Sequence, residues 1–343
     1  MEFCVVTSKG LEGVCSKELQ RLFGGCKLCV EPGIVLLELN TKNAIKTLYT
    51  RVHSAHYIFQ IFSKLELIDN WMEGVAKSPD LKELLSTKTF AVECIPRSQE
   101  LEREIGARLV ASLKGKARVD LRNPEIKVCC TTTQRWGIIG VDWEKRKLSK
   151  RAYRVFTTRH SLNSVSGFAL GFNVQDSAVF LVTGDGTPLI ETCLYLNKIP
   201  LSKQPLLLQH TKPSQRVVAL ALNSVLLRGA KQNATLAGVR ELIEWVEIPW
   251  QQGLQTLSKS FKNLVVALNF VREAHGTPSL SIFKGVCGYT SHVLLKGGFI
   301  AVLVLAHMRD GFKDIARGYG YKLFEEIEFM QGGLALSILR FRT

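Results

Sequence analysis

The sequence predicts an α/β protein: a ferredoxin-like first unit, a second small α/β unit, and a doubly wound parallel sheet closed by an antiparallel hairpin. Three observations carry this. Residues 1–68 alternate in the order strand, helix, strand, helix, strand, as in a ferredoxin-like sandwich. Residues 151–343 alternate short apolar runs with helical periods, the pattern of a parallel sheet covered on both faces. The chain then ends on YKLFEEIEFM, QGG and LALSILRFRT, two strands joined by a glycine turn.

In the first unit, EFCVVTS reads as a strand. KGLEGVCSKELQRLF is an amphipathic helix with Leu11, Val14, Cys15, Leu19 and Leu22 on one face. GIVLLELN is a second strand, and a helix follows after a cap at Asn40 or Thr41 before the strand around YIFQIF. In the second unit, 69–150, a helix over NWMEGVAKSPDLKELLS is broken near Pro79. TFAVECIP is a strand, SQELEREIGARLVASL a helix, VDLRNPEIKVCCTTT extended with a kink at Asn123-Pro124, and RWGIIGVDW a strand. In the third unit the strands are AVFLV, RVVALAL, LIEWVEI, NLVVALNF and GFIAVLVLA.

The chain has 343 residues, of which 46% are hydrophobic and 22% charged, which argues for a folded rather than a disordered protein. The apolar run FIAVLVLA at 299–306 is far short of the roughly twenty residues that cross a bilayer, so no membrane association is expected. The start MEFCVVTSKG carries no basic leader pattern, and the expected compartment is the cytoplasm. Nine cysteines are irregularly spaced, and Cys26 and Cys29 form a single CxxC with no second pair. They read as small apolar residues in a reducing compartment, with no metal site. The net charge is +15, and the excess is spread over both halves: 26 Lys/Arg against 18 Asp/Glu in 1–155, and 19 against 12 in 156–343. Such a balance points to a polyanionic partner touching both halves.

Several segments resemble a known family. VTSKGLEGVCSKEL at 6–19, ELEREIGARLV at 100–110 and VDLRNPEIKV at 119–128 resemble the THUMP-domain RNA-modifying enzymes, in the branch with an N-terminal ferredoxin-like domain. LSKRAYRV at 148–155 resembles the segment that leads from THUMP into a methyltransferase domain, with Ala152 in place of glycine. GDGTPLIE at 184–191, RGAKQNATLAGV at 228–239 and LLKGGFIAVL at 294–303 resemble the class I methyltransferase domain of that family, in particular enzymes that methylate N2 of guanosine in tRNA. The resemblance implies three domains: 1–68 ferredoxin-like, 69–150 THUMP, and 151–343 a Rossmann-like methyltransferase domain. It also implies that the THUMP unit grasps the acceptor end of tRNA. The cations positioned for this are Lys114, Lys116, Arg118, Arg122, Arg135, Lys145, Arg146, Lys147, Lys150, Arg151 and Arg154, with Tyr153 as an aromatic that could stack a base.

The methyltransferase half is expected to be degenerate. Gly184, Asp185, Gly186 and Thr187 keep the glycine turn that receives the methionine end of S-adenosylmethionine, and Glu191 also matches the family. The acid expected four residues before the first glycine is Phe180, followed by Leu181. The ribose-binding acid falls on Ala221, with Asn223 a partial substitute, and the acid after the third strand is replaced by Ile248-Pro249. The Asp/Asn-Pro-Pro-Tyr/Phe motif that orients the target amino group is reduced to Asn269-Phe270, or falls on Leu268. The leading expectation is therefore a tRNA-binding pseudoenzyme with no cofactor. Two alternatives stay open: an active guanosine-N2 methyltransferase using S-adenosylmethionine, and a non-catalytic subunit that docks a partner enzyme. A protein partner or a homodimer fits either. Of the seven histidines none has metal-ligand spacing; His160 follows the basic segment and could face RNA.

Overall fold

A computed structural model describes residues 1–67, 71–158, 161–201, 215–268 and 279–342. The chain separates into two compact units that interleave along the sequence. One comprises Met1–Thr7, Leu19–Tyr49 and Ala55–Leu148; the other Ser8–Glu18, Thr50–Ser54 and Ser149–Thr343.

The first unit is built on β1 (Glu2–Val6), part of α1 (Glu12–Phe23), β2 (Leu28–Glu31), β3 (Ile34–Glu38), α2 (Lys42–Arg51, continuing into the other unit), β4 (Tyr57–Glu66), α3 (Pro79–Thr87), β5 (Thr89–Ile95), α4 (Gln99–Ser112), β6 (Arg118–Val119), β7 (Ile126–Thr132) and β8 (Trp136–Asp142). One sheet runs through it in the order β2-β3-β1-β4-β8-β7-β5-β6. The first four strands have the ferredoxin-like arrangement, with β2 added to the expected set. β2 is four residues long and lies at the sheet edge, with no buried position to mark it. The break at Pro79 is a helix start: a 3-10 turn over Trp71–Lys77 ends, Ser78 caps α3, and Pro79 occupies its first turn, where a missing N–H costs nothing. α3 and α4 bury Leu81, Leu85, Ile105 and Leu109 against Phe90, Val128 and Ile139 of the sheet.

The second unit holds α5 (Ser164–Gly171), β9 (Ala178–Val182), α6 (Thr187–Leu196), β10 (Val217–Ala221), α7 (Ser224–Leu236), β11 (Ile243–Trp245), α8 (Trp250–Thr256), β12 (Phe261–Ala267), α9 (Ser279–Val293), β13 (Leu294–Leu305), α10 (Arg309–Gly318), β14 (Lys322–Gln331) and β15 (Leu334–Arg342). Its sheet order is β11-β10-β9-β12-β13-β15-β14. The first five strands are parallel, and β15 is antiparallel, inserted between β13 and β14. The alternation along β9 decides the two cores. Ala178, Phe180 and Val182 face a cluster with α5, α6 and α7, while Val179 and Leu181 face one with α8, α9 and α10.

A buried cation locks the hairpin to α5. Arg340 on β15 is 0% exposed. It pairs with Glu325 on β14 and donates to Ala169 O at 2.7 Å, a carbonyl in the last turns of α5.

Candidate functional site

The turn between β9 and α6 is held by hydrogen bonds to its own chain. Gly186 has φ +79° at the N-terminus of α6, and a Cβ there would lie 2.8 Å from Ala230 Cβ, so glycine is required twice over. Asp185 is 1% exposed. Its Oδ1 accepts from Thr187 N (3.1 Å) and Thr187 Oγ1 (2.7 Å), and its Oδ2 from Arg154 Nη2 (3.0 Å). A carboxylate of the protein thus sits on the positive end of α6, with a guanidinium already on it. Arg154, expected on the RNA-facing surface, is instead 18% exposed and committed to this pair.

Asn233 of α7 holds the same turn from behind. Its Oδ1 accepts from Val155 N (3.1 Å) and Phe156 N (3.0 Å), and its Nδ2 donates to Phe156 O (2.8 Å) and Asp185 O (3.0 Å). All four hydrogen bonds of the amide are made, and the residue is fully buried. Asn233→Leu is expected to cost about 2–3 kcal/mol by leaving these backbone groups without partners. A urea titration in which the variant keeps the wild-type midpoint would refute this role.

The two strand-end positions expected to carry acids, on β9 and β10, are apolar. Phe180 is 2% exposed, between Ala219 and Val265 in register. Ala221 is buried opposite Val182. Asn223, the candidate substitute, uses its Oδ1 to cap α7 through Leu226 N at 2.9 Å. Ile248 is exposed, and Pro249 leads into α8. Between the ends of β9 and β12, Phe180, Leu162, Leu170, Leu189 and Val265 close on a cavity of about 20 Å³, room for a single water. The base-orienting candidates Asn269 and Phe270, and His160, lie outside the described residues; Leu268 is buried.

The second correction concerns Arg151 and Tyr153, also expected to face RNA. Both are buried around Glu191, which is 0% exposed. Glu191 Oε1 accepts from Arg151 Nε (2.8 Å) and Tyr153 OH (2.8 Å); Oε2 accepts from Arg151 Nη2 (3.0 Å) and His53 Nδ1 (2.7 Å). Burial alone would raise the carboxyl pKa. The guanidinium and the imidazole outweigh it and hold the group at about 2. Glu18 completes the cluster, accepting from His53 N (2.8 Å), Ser54 N (3.0 Å) and the Ser54 hydroxyl; burial pushes its carboxyl up. Sequence reasoning found Glu191 through the family pattern but gave no sign of Glu18, His53 or Asn233, whose partners are 35 to 138 residues away.

The remaining cations of the first unit gather more closely. Lys114, Lys116, Arg118 and Arg122 are exposed around the loop 118–124, and Lys145 Nζ reaches Pro124 O at 3.2 Å. Asp120 Oδ1 accepts from Arg122 N and Asn123 N, both at 2.9 Å, which fixes the loop and lowers the Asp120 pKa. Leu121 stands out at its tip, 80% exposed. Arg135 is elsewhere on the sheet, paired with Glu66 and stacked on Trp136, and Arg146 donates to Tyr49 O. Lys147 lies over the Tyr57 ring, and Lys150 is exposed in the second unit.

No protein-family model and no curated protein matches the chain. Solved structures do. TrmN from Thermus thermophilus aligns over 100% of this chain and 99% of its own, with 20% identity and a TM-score of 0.74. A possible methylase from Clostridium difficile 630 aligns over 99% and 97%, with 13% identity and a TM-score of 0.76. SMU.472, solved in complex with SAH, aligns over 99% and 97%, with 16% identity and a TM-score of 0.73. The second unit has the class I methyltransferase fold. Such folds bind ligands at the carboxyl ends of the parallel strands, which is where the turn at 183–186 of this methyltransferase-fold unit lies. No helix among the described residues is long and apolar enough to cross a membrane, and no group of three or more His, Cys, Asp or Glu among them could hold a metal.

Proposed function

We propose that the protein binds RNA, with tRNA as the ligand, and that its methyltransferase-fold unit transfers no methyl group. The carrying observation is the apolar replacement at the strand ends: Phe180 and Ala221 are buried where a methyl donor needs carboxylates for its amino and ribose groups. A hydrogen bond to a charged group is worth about 1.5–3 kcal/mol, so two missing acids cost about 3–6 kcal/mol, a hundredfold to tens of thousandfold in affinity. The space between the ends of β9 and β12 is lined largely by apolar side chains, among them Phe180, Leu162, Leu170, Leu189 and Val265. The one remaining acid in the loop, Asp185, is spent on Thr187 and Arg154. The residues present therefore do not fit S-adenosylmethionine, and no step is routed through it.

The RNA side of the reading rests on the net charge of +15 and on the VDLRNP loop, where exposed Lys116, Arg118 and Arg122 lie close in sequence to the projecting Leu121 and Lys145 reaches Pro124 O. An apolar tip on a cation-rich loop suits an unpaired terminal nucleotide, with phosphates on the cations and a base face on Leu121. This agrees with the THUMP resemblance of the same segment.

Two titrations of the full chain test both halves. Calorimetry with S-adenosylmethionine to several hundred micromolar is expected to show no binding heat, while fluorescence anisotropy with labelled tRNA shows saturable binding. A low-micromolar dissociation constant for the methyl donor, or methylated guanosine recovered from tRNA, would establish the active enzyme instead. A chain that leaves tRNA unbound would remove the RNA reading.

A further inference from the structure

The second unit carries a cationic edge at the end of its sheet opposite the glycine turn. The parallel strands open on one row that runs from Val217 through Ala178, Asn263 and Phe299 to Arg342 and Lys322. Arg216 and Lys262 stand one residue outside this row, and Lys259 precedes β12. Lys296 reaches the same edge through a deliberate irregularity. While β12 advances from Phe261 to Asn263, its partner β13 advances from Leu294 to Phe299, so 295–298 bulge out opposite Lys262. Gly297 takes φ +77°, and a Cβ on Gly298 would lie 2.7 Å from Lys262 O, so both glycines are needed to make the bulge that presents Lys296.

Six cations therefore share one edge, with Asp176, Glu241 and Glu244 as nearby acids, Glu241 lying beside Arg240. Glu244 is taken by Arg216 at 3.0 Å. Lys259, Lys262, Lys296 and Lys322 form no ion pair among the described residues. Arg342 stacks on the ring of Phe324, which is itself 40% exposed. From β10 to β14 the edge spans five strand spacings, about 24 Å at about 4.8 Å each. A nucleic-acid strand presents a phosphate every 3.4 Å or so, which places about seven within that length. Uncompensated like charge on one edge raises the free energy of the unliganded protein, and a polyanion relieves it.

We propose that this edge is a second RNA-backbone contact, made by the methyltransferase-fold unit at the end away from its former cofactor pocket. The inference rests on the RNA-binding reading above and assigns RNA to a surface that reading does not use.

The test is anisotropy with labelled tRNA across 50–200 mM salt, using full-length Lys259→Glu/Lys262→Glu/Lys296→Glu and, as a milder form, the three glutamine replacements. About 0.7 of log-log salt slope is lost per phosphate contact on a single strand, so the slope should shrink by about 2 and the affinity at least tenfold. Far-UV circular dichroism and melting should stay close to the wild type, since Lys259 and Lys296 are exposed and Lys262 is only half-buried. Lys116→Glu/Arg122→Glu in the first unit serves as the reference. If that variant loses affinity while both triple variants keep the wild-type slope, the edge proposal fails and the RNA reading stands. If the wild type binds no tRNA, both fail. Loss of binding to anionic vesicles with an unchanged tRNA slope would assign the edge to a membrane surface and overturn the RNA assignment.

Discussion

Glu191→Ala is expected to lower unfolding free energy by about 3–5 kcal/mol, the usual cost of removing one partner from a buried ion pair. The variant would leave the Arg151 guanidinium, the Tyr153 hydroxyl and His53 Nδ1 without their shared acceptor in a site closed to water. Urea denaturation at pH 7 measures this, and a loss under about 1 kcal/mol would mean that the cluster relaxes freely. The same group sets an acid limit. Its folded pKa is about 2, below its ordinary value of 4.5, so its contribution is complete above pH 4.5 and is lost as pH falls through about 2. Glu18 acts in the opposite sense. Burial raises its pKa, so its contribution is complete below the ordinary carboxylate value and is lost as pH rises through the folded one. The difference between wild type and Glu191→Gln isolates the first effect: it should shrink steadily between pH 4.5 and 2.

Arg340→Ala is expected to be as damaging, at about 3–5 kcal/mol. The change leaves Ala169 O without its donor and Glu325 with only Lys17 and Asn173 as partners. Arg340→Met combined with Glu325→Gln should recover a large part of the loss, because a largely buried pair replaced by well-packed neutral groups is often neutral. A double-mutant cycle in denaturant reads this directly. Strict additivity of the two single changes would show that Arg340 serves packing alone.

The parts of the fold that the sequence revealed are those governed by local periodicity. β9 coincides with the AVFLV run because five successive buried residues leave no other reading, and the glycine pair in QGG places the final hairpin. β2 escaped because an exposed edge strand of four residues has neither alternation nor a buried run. At the ends of β9 and β10 the sequence supplies residue type without geometry: Phe180 and Ala221 read as apolar, and the structure adds that both are buried. The fate of the basic segment was not legible. Lys145, Arg151, Tyr153 and Arg154 look alike in sequence, yet Lys145 is exposed while Arg151 and Tyr153 are buried on Glu191. A cation reads as surface until its acid is found, and these acids lie about 30 to 40 residues along the chain.

The second unit draws Ser8–Glu18 and Thr50–Ser54 out of a stretch that otherwise builds the first. A gene cut at codon 150 would therefore not release a portable module. Its downstream product would lack the glutamate and the histidine that complete the Glu191 cluster, and its upstream product would carry them with nothing to hold. The two halves are therefore inherited jointly, because each truncated product is left with an incomplete buried cluster.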